Sequence, residues 1–196
     1  VGAAPEAWWF TVERPALVLG SAQPWSAVDH AACERRGVEV VRRRSGGGAV
    51  LMLPGEIAWL DVVVPAADVL WDDDVGRAMW WFGDVWAEAL AALGSSAVEV
   101  HRGPLVARPW SRTVCFDGIG AGEVLVDGAK AVGISQRRTR RWMRLQAAVH
   151  RRWRPDLLVT LLAEPRPAVS ELSPVAELAA TDDDLRTAVG AALAAR

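Results

Sequence analysis

Two short segments hold the residue types from which an anion site can be built. The first runs Arg42-Arg43-Arg44-Ser45-Gly46-Gly47-Gly48-Ala49-Val50 and continues into Leu51. Three consecutive glycines free the backbone to take positive φ. Their N–H groups can then converge on an anion, as in a nest. Without side chains, a ligand can lie against the main chain, and flanking guanidiniums add charge-assisted hydrogen bonds to phosphate or carboxylate. No Gly-Lys-Ser/Thr follows and no helix starts there, so this is neither a P-loop nor a dinucleotide-binding turn. The competing reading is a flexible hairpin loop with solvated arginines.

The second segment runs Gly128-Ala129-Lys130-Ala131-Val132-Gly133-Ile134-Ser135-Gln136-Arg137. Among 22 Lys plus Arg residues, Lys130 is the one lysine. Arg presents a planar fork, whereas Lys is a slim point donor on a flexible stem. A site that needs one compact ammonium cannot accept Arg. Gly133 marks a close approach of backbone or ligand. By itself, a lysine at a strand start is a solvated edge residue.

Those segments need elements to hold them. Strands are expected over 8–12, 16–20, 38–42 and 48–53, with a short helix capped by Ser26 and ended by Gly37. Residues 57–65 are nearly all apolar and read as a strand buried on both faces. A long helix is expected over 72–93, opened by three aspartates that suit its positive dipole end. Strands follow over 97–101, 112–116, 123–126, 130–135 and 141–149, with Asp127-Gly128 as a hairpin turn. Three helices close the chain: one with Pro155 in its first turn, one capped by Ser173-Pro174, one opened by Thr181. The fold class is α+β (mixed α/β), a central, largely antiparallel sheet flanked by helices in one domain over residues 1–196.

Composition narrows the function. The formal charge is −2 and charged residues make up 23%, which describes a globular chain rather than an obligate polyanion binder. No apolar run reaches the length of a membrane span. Cys33 and Cys115 cannot build a disulfide framework, which fits a reducing compartment, the cytoplasm. His30 and Cys33 have ligand-like spacing, but three His and two Cys in the whole chain argue against a zinc site. Residues 137–154 hold eight arginines, no acid, and the interleaved Trp142 and Trp153. These are ingredients for nucleic acid, but overall neutrality argues against it, and a solvated face is the plainer reading.

Taken together, Arg-Arg-x-Ser-Gly-Gly-Gly-Ala-Val and the later Gly-x-Lys-x-x-Gly-x-x-Gln resemble the lipoate–protein ligase family, whose catalytic domain is related to biotin ligases. Gly20-Ser21-Ala22-Gln23 resembles that family's Gly-x-x-Gln segment. The resemblance spans about residues 8–162. It implies ATP-dependent activation of lipoate or octanoate to an acyl-adenylate, then transfer to a lysine of an acidic lipoyl carrier domain. It implies Lys130 between the acid's carboxyl and the α-phosphate, and Arg43 on the ATP phosphates. Ser45, Gly46, Gly47, Gly48, Ala49, Val50, Leu51, Gly128 and Gly133 would lie along the adenylate. Mg²⁺ would accompany ATP, with no protein ligand nameable. The basic stretch over 137–154 would steer the carrier. In related octanoyl- and lipoyl-transferases a cysteine near Cys115 forms an acyl thioester, so Cys115 is either a nucleophile or a small buried hydrophobe. The chain departs from the family at 51–56, where Leu51-Met52-Leu53-Pro54-Gly55-Glu56 replaces a His-Asp and Gly-Asn pattern, and at 145–148. The amino-terminal strand and helix and the carboxyl-terminal accessory domain are expected to be missing, with a separate accessory chain as one source of the latter. The alternatives are a Cys115-dependent transferase and a non-catalytic ligand-binding relative. Lys130→Ala is expected to abolish adenylate formation with little loss of stability.

Overall fold

A computed structural model describes residues 4–196; the amino end at Val1 lies outside them. Nine strands form two sheets. The larger contains β1 (Glu6–Phe10), β5 (Ile57–Pro65), β6 (Val98–Val100), β7 (Val124–Val126), β8 (Ala129–Arg138) and β9 (Trp142–His150) in the order β1-β5-β9-β8-β7-β6. All its pairings are antiparallel. The smaller sheet has β2 (Ala16–Leu19) between β3 (Glu39–Arg42), parallel to it, and β4 (Val50–Met52), antiparallel to it. The expected α+β class with an antiparallel central sheet is therefore observed.

The Asp127-Gly128 turn joins β7 and β8 as an antiparallel hairpin, as expected, and β8 then pairs with β9. Asp127 and Gly128 both take positive φ, +50° and +77°, the pair of left-handed residues that joins twisted strands tightly. One face of the large sheet packs under α2 (Trp80–Ala92) and α4 (Asp182–Ala194), burying Leu60, Val62, Phe82, Trp86, Leu145 and Val189. The small sheet packs with α1 (His30–Arg35) and α3 (Pro155–Leu161) around Leu17, Leu19, Cys33, Leu51, Leu158 and Leu161. A third cluster, with Val50, Met52, Ile57 and Phe116, joins the sheets.

Four expected elements change, each because a short polar side chain claims backbone groups. Ser26 does not cap α1; Asp29 does, accepting from Ala32 N at 2.8 Å. The aspartates at 72–74 do not open α2. Asp74 accepts from the N–H groups of Gly76 and Arg77 and Asp72 pairs with Arg77, so helix begins only after a 3₁₀ turn at Arg77–Met79. Residues 112–116 are a turn rather than a strand. The buried Asp117 accepts from Trp110 N and from Ser173 N and Oγ, and the chain coils around that carboxylate. Ser173 is thereby consumed, and Ser173-Pro174 caps no helix; Val175 extends instead into a bridge with Lys130. By contrast, Thr181 and Asp184 form a capping box that opens α4, and Pro155 takes the first turn of α3.

Candidate active site

The glycine loop passes through a gap that side chains could not share. A Cβ on Gly20 would lie 1.8 Å from the Gly47 oxygen. One on Gly48 would lie 2.6–2.8 Å from backbone atoms of Val114 and Cys115. Gly47 holds φ +97°. Gly46 is different, with nothing within 4 Å of its Cβ position. Gln23 fastens the neighbouring turn, accepting from Gly20 N and donating to the carbonyls of Arg112 and Thr113.

Arg43 was expected to meet phosphate, but its guanidinium is already committed to the loop. It donates to the carbonyls of Gly46, Gly48 and Val18 at 2.7, 2.8 and 3.2 Å. Nη2 also lies 3.9 Å from Cys115 Sγ. The loop's N–H groups are different. Those of Ser45, Gly46, Gly47 and Gly48 have no acceptor among the described residues.

A cavity of about 430 Å³ opens between the two sheets. Val18, Val50, Met52, Phe116 and Ala148 give it apolar walls, and Arg42, Arg44 and Arg137 give it charge. None of these three arginines has a carboxylate partner within 4 Å among the described residues. Cys115 and Gly133 also line it. Among the expected residues, Val50 faces this cavity, whereas Ala49 and Leu51 point into the core beneath the small sheet. Alternation along β4 imposes that split. Ser45 is buried and hydrogen-bonded to Gln146 and Ser135. Gly128 sits in the hairpin turn and does not line the cavity.

The Lys130 nitrogen lies outside the cavity lining. It is enclosed at 3% exposure, 2.6 Å from Glu123 Oε2, and donates to the carbonyls of Cys115 and Gly118 at 3.0 and 2.9 Å. A buried ammonium needs a counter-charge and acceptors, and without ligand Glu123 supplies the charge. Glu123 is fixed in turn by the N–H groups of Gly120 and Ile134. Phe116 touches both sides: it lines the cavity, and Lys130 Nζ lies 4.9 Å from its ring centroid. Cys115 is likewise shared, its carbonyl bound by Lys130 and its sulfur approached by Arg43.

Sequence reasoning missed Glu123, Asp61 and Asp117. Asp61 left a signal, as the one charge in an otherwise apolar strand that is buried at every position but Trp59. Burial pushes its carboxyl upward, opposed by Arg144 and by hydrogen bonds from Trp59, Arg144 and Gln146. No cluster of three or more His, Cys, Asp or Glu among the described residues could hold a metal ion.

The family model for the lipoyl protein ligase A/B catalytic domain matches residues 1–189, and the chain belongs to that family. It is a ligase-like catalytic domain, an enzyme of the acyl-transferring kind. Solved structures share the fold. A protein from T. acidophilum assigned as a lipoate protein ligase, with bound lipoic acid, superposes with a TM-score of 0.76 at 18% identity, covering 99% of this chain and 73% of that one. A lipoate-protein ligase A bound with ATP gives 0.75 at 22% identity, covering 99% and 73%. A bipartite lipoate protein ligase from Thermoplasma acidophilum, studied with its E2 lipoyl domain, gives 0.74 at 19% identity, covering 99% and 71%. No match to a curated protein was found.

Proposed function

We propose that this chain activates lipoate or octanoate with ATP and transfers the acyl group to a lysine of an acidic lipoyl carrier domain. One observation carries the reading. An apolar cavity is rimmed by guanidiniums without counter-ions and adjoins a glycine loop whose N–H groups are unused. Such a site neutralises an anion while holding an apolar chain out of water. ATP-bound and lipoate-bound relatives support the choice of substrates.

ATP supplies the leaving group that makes the acid reactive. The free N–H groups of 45–48 and the side chains of Arg42 and Arg44 would hold its phosphates, while Val50, Met52 and Phe116 would line the acyl chain. Mg²⁺ would arrive with the nucleotide, phosphates and water being its ligands. Lys130 acts by changing partners. Incoming carboxylate and phosphate compete with Glu123 for the ammonium, and its four-carbon stem lets the nitrogen follow. A carrier domain as a separate chain is supported by the archaeal system studied with its E2 lipoyl domain, and an accessory chain would belong to the same arrangement. No helix among the described residues is long and apolar enough to cross a membrane; the cytoplasm is the compartment we assign. The test is ATP–pyrophosphate exchange dependent on lipoate or octanoate. Exchange with neither, with or without carrier, refutes adenylation.

A second reading rests on Cys115. Its sulfur lines the cavity 3.9 Å from Arg43 Nη2. As a transferase, the sulfur would accept the acyl group from a donor thioester and pass it to the carrier lysine.

A further inference from the structure

The cleft between the two sheets is divided. Beside the cavity of about 430 Å³ lies a second of about 390 Å³, bordered by residues 11–14. Val18, Arg42, Arg43, Met52 and Trp59 line both, so these residues form the partition. Its place is fixed by the register of the small sheet, where Val18 pairs with Val50 and Ala16 with Met52. Val50 lines the first cavity and not the second, and Ala16 the second and not the first. Met52 therefore stands at the boundary, two residues beyond Val50 along β4, and is only 5% exposed.

The large sheet supplies the opposite side. Gly133, Ala148 and Trp59 form one row across β8, β9 and β5, and all three line the first cavity. Along that row the floor rises from no side chain to a methyl and then to an indole. A ligand lying on it has a shallow bed over two strands and then meets a wall. At the Gly133 end, the Cβ position is 3.0 Å from the Phe116 ring and 3.4 Å from Lys130 Cε. Two inter-strand spacings span about 10 Å, comparable with an extended eight-carbon acid. The two sides of the wall differ in stiffness. Trp59 is held: its Nε1 donates to the buried Asp61 at 2.5 Å, and its ring lies 4.8 Å from that of Phe10, centroid to centroid. Met52 is unbranched and polarizable, the kind of side chain that adapts to what it touches. It sits in the cluster with Val50 and Phe116 against which Trp59 packs. Behind the wall the second cavity is apolar at Val12, Ala16 and Val41.

We propose that Met52 and Trp59 set the chain length of the acid this site accepts, closing it after about eight carbons and keeping longer fatty acids out of the cavity behind them. This rests on the reading that a medium-chain acid occupies the first cavity with its carboxyl at the Lys130 end. Trp59 is the fixed stop, positioned by Asp61. Met52 is the adjustable one, yielding to an alkyl end or to a ring of the same reach. Its truncation joins the two cavities, and additional methylenes then leave water for an apolar space.

The experiment is calorimetric titration of the full chain, without nucleotide, with hexanoate, octanoate and dodecanoate. Wild type is expected to bind octanoate most tightly. Met52→Ala is expected to shift the dodecanoate-to-octanoate ratio toward dodecanoate by at least about tenfold, less than four fully buried methylenes would supply. Met52→Phe adds bulk at the wall and is expected to move the optimum the other way, to hexanoate. Urea unfolding checks that each variant is folded; Met52→Val, the milder truncation, reads the same shift with decanoate where Met52→Ala is not. Wild type that binds dodecanoate as tightly as octanoate, truncated variants within about twofold of the wild-type ratio, or no binding of any acid each overturns the inference. Pyrophosphate exchange with the same acids separates the two claims. Exchange on octanoate with a length profile unmoved in the variants removes this inference and keeps the ligase reading. A profile that moves as expected in the titrations, without exchange, keeps the inference and removes adenylation.

Discussion

Truncating Lys130 to Ala takes a charge out of an enclosure built around it. Nζ has three oxygen partners at 2.6, 2.9 and 3.0 Å, and the Lys130 and Glu123 side chains are 3% and 5% exposed. Truncation leaves the carbonyls of Cys115 and Gly118 without a donor and the Glu123 carboxylate without its counter-charge. Removing one partner of a buried ion pair costs roughly 3–5 kcal/mol. Glu123 keeps its hydrogen bonds from Gly120 N and Ile134 N, which places the expected loss near the lower figure. For a chain of this length that lowers Tm by roughly 6–12 °C. The expectation of little stability loss, drawn from sequence, is therefore reversed.

Urea unfolding followed by tryptophan fluorescence measures it, and 11 Trp residues give ample signal. The informative comparison is a double-mutant cycle with Lys130→Met, Glu123→Gln and the pair together. Gln keeps an acceptor for one of the two N–H groups, Gly120 or Ile134, while removing the charge. The double variant is expected to recover part of the loss, with a coupling of roughly 1–3 kcal/mol. Lys130→Ala within about 1 kcal/mol of wild type, the range of exposed pairs, would refute the buried-pair reasoning. Exchange activity is then read at a temperature where the variant is folded, so that chemistry and stability are not confused.

Cys115→Ser is expected to leave ATP-dependent activation within a few fold of wild type; loss of acyl transfer with retention of a thioester signal only in wild type would instead establish the transferase reading. Gly48→Ala, whose Cβ would meet backbone within 2.8 Å on two residues, is expected to cost about 1–3 kcal/mol, whereas Gly46→Ala meets nothing and should fold normally; equal unfolding midpoints for the two would contradict the packing of the loop. His150 is wedged between Phe116 and Trp153 at 4.5 and 4.8 Å, and burial, followed by the charge of Lys130, lowers its pKa to about 3. The unfolded chain takes up that proton near pH 6.5, so this contribution to stability is whole above pH 6.5 and falls by about 1.4 kcal/mol per unit toward pH 3. Asp61, with its carboxyl pushed up, contributes in the opposite sense in the acid range, so the measurement is the difference between wild type and His150→Phe. The variant should lose less stability between pH 6.5 and 4, and an identical slope would refute the assignment.

Local signals carried most of the fold. Strand β5 was legible because its nine residues are apolar at nearly every position, the β7–β8 hairpin because Asp127-Gly128 marks its turn, and β9 because its apolar residues alternate. Thr181 and Pro155 announce helix starts through groups that act within one turn. What was illegible depends on partners far along the chain. The coil at 110–117 is organised by Asp117, whose other donors come from Ser173, and no spacing rule joins positions 56 residues apart. The same holds for Arg144, paired with Asp61 across 83 residues. At the site, the glycine loop was readable as a place of close approach, but not which glycine faces backbone and which faces space. The commitment of Arg43 to carbonyls was also hidden, since a guanidinium beside glycines looks equally suited to phosphate.

The solitary lysine is the instructive case. In a chain that uses Arg almost everywhere, its survival suggested chemistry, and the enclosure gives a sufficient structural reason. Three oxygens and the Phe116 ring surround the nitrogen, an arrangement suited to a compact ammonium rather than a planar fork. Selection for packing alone would therefore keep Lys130. The weight of the functional argument moves to the cavity, where Arg42, Arg44 and Arg137 stand without counter-charge beside apolar walls. A solvated surface tolerates such arginines, but an anion entering the cavity would meet their combined charge. In the proposed reaction the same anion would compete with Glu123 for the buried ammonium, so that ligand binding and the exposure of Lys130 would be coupled through charge.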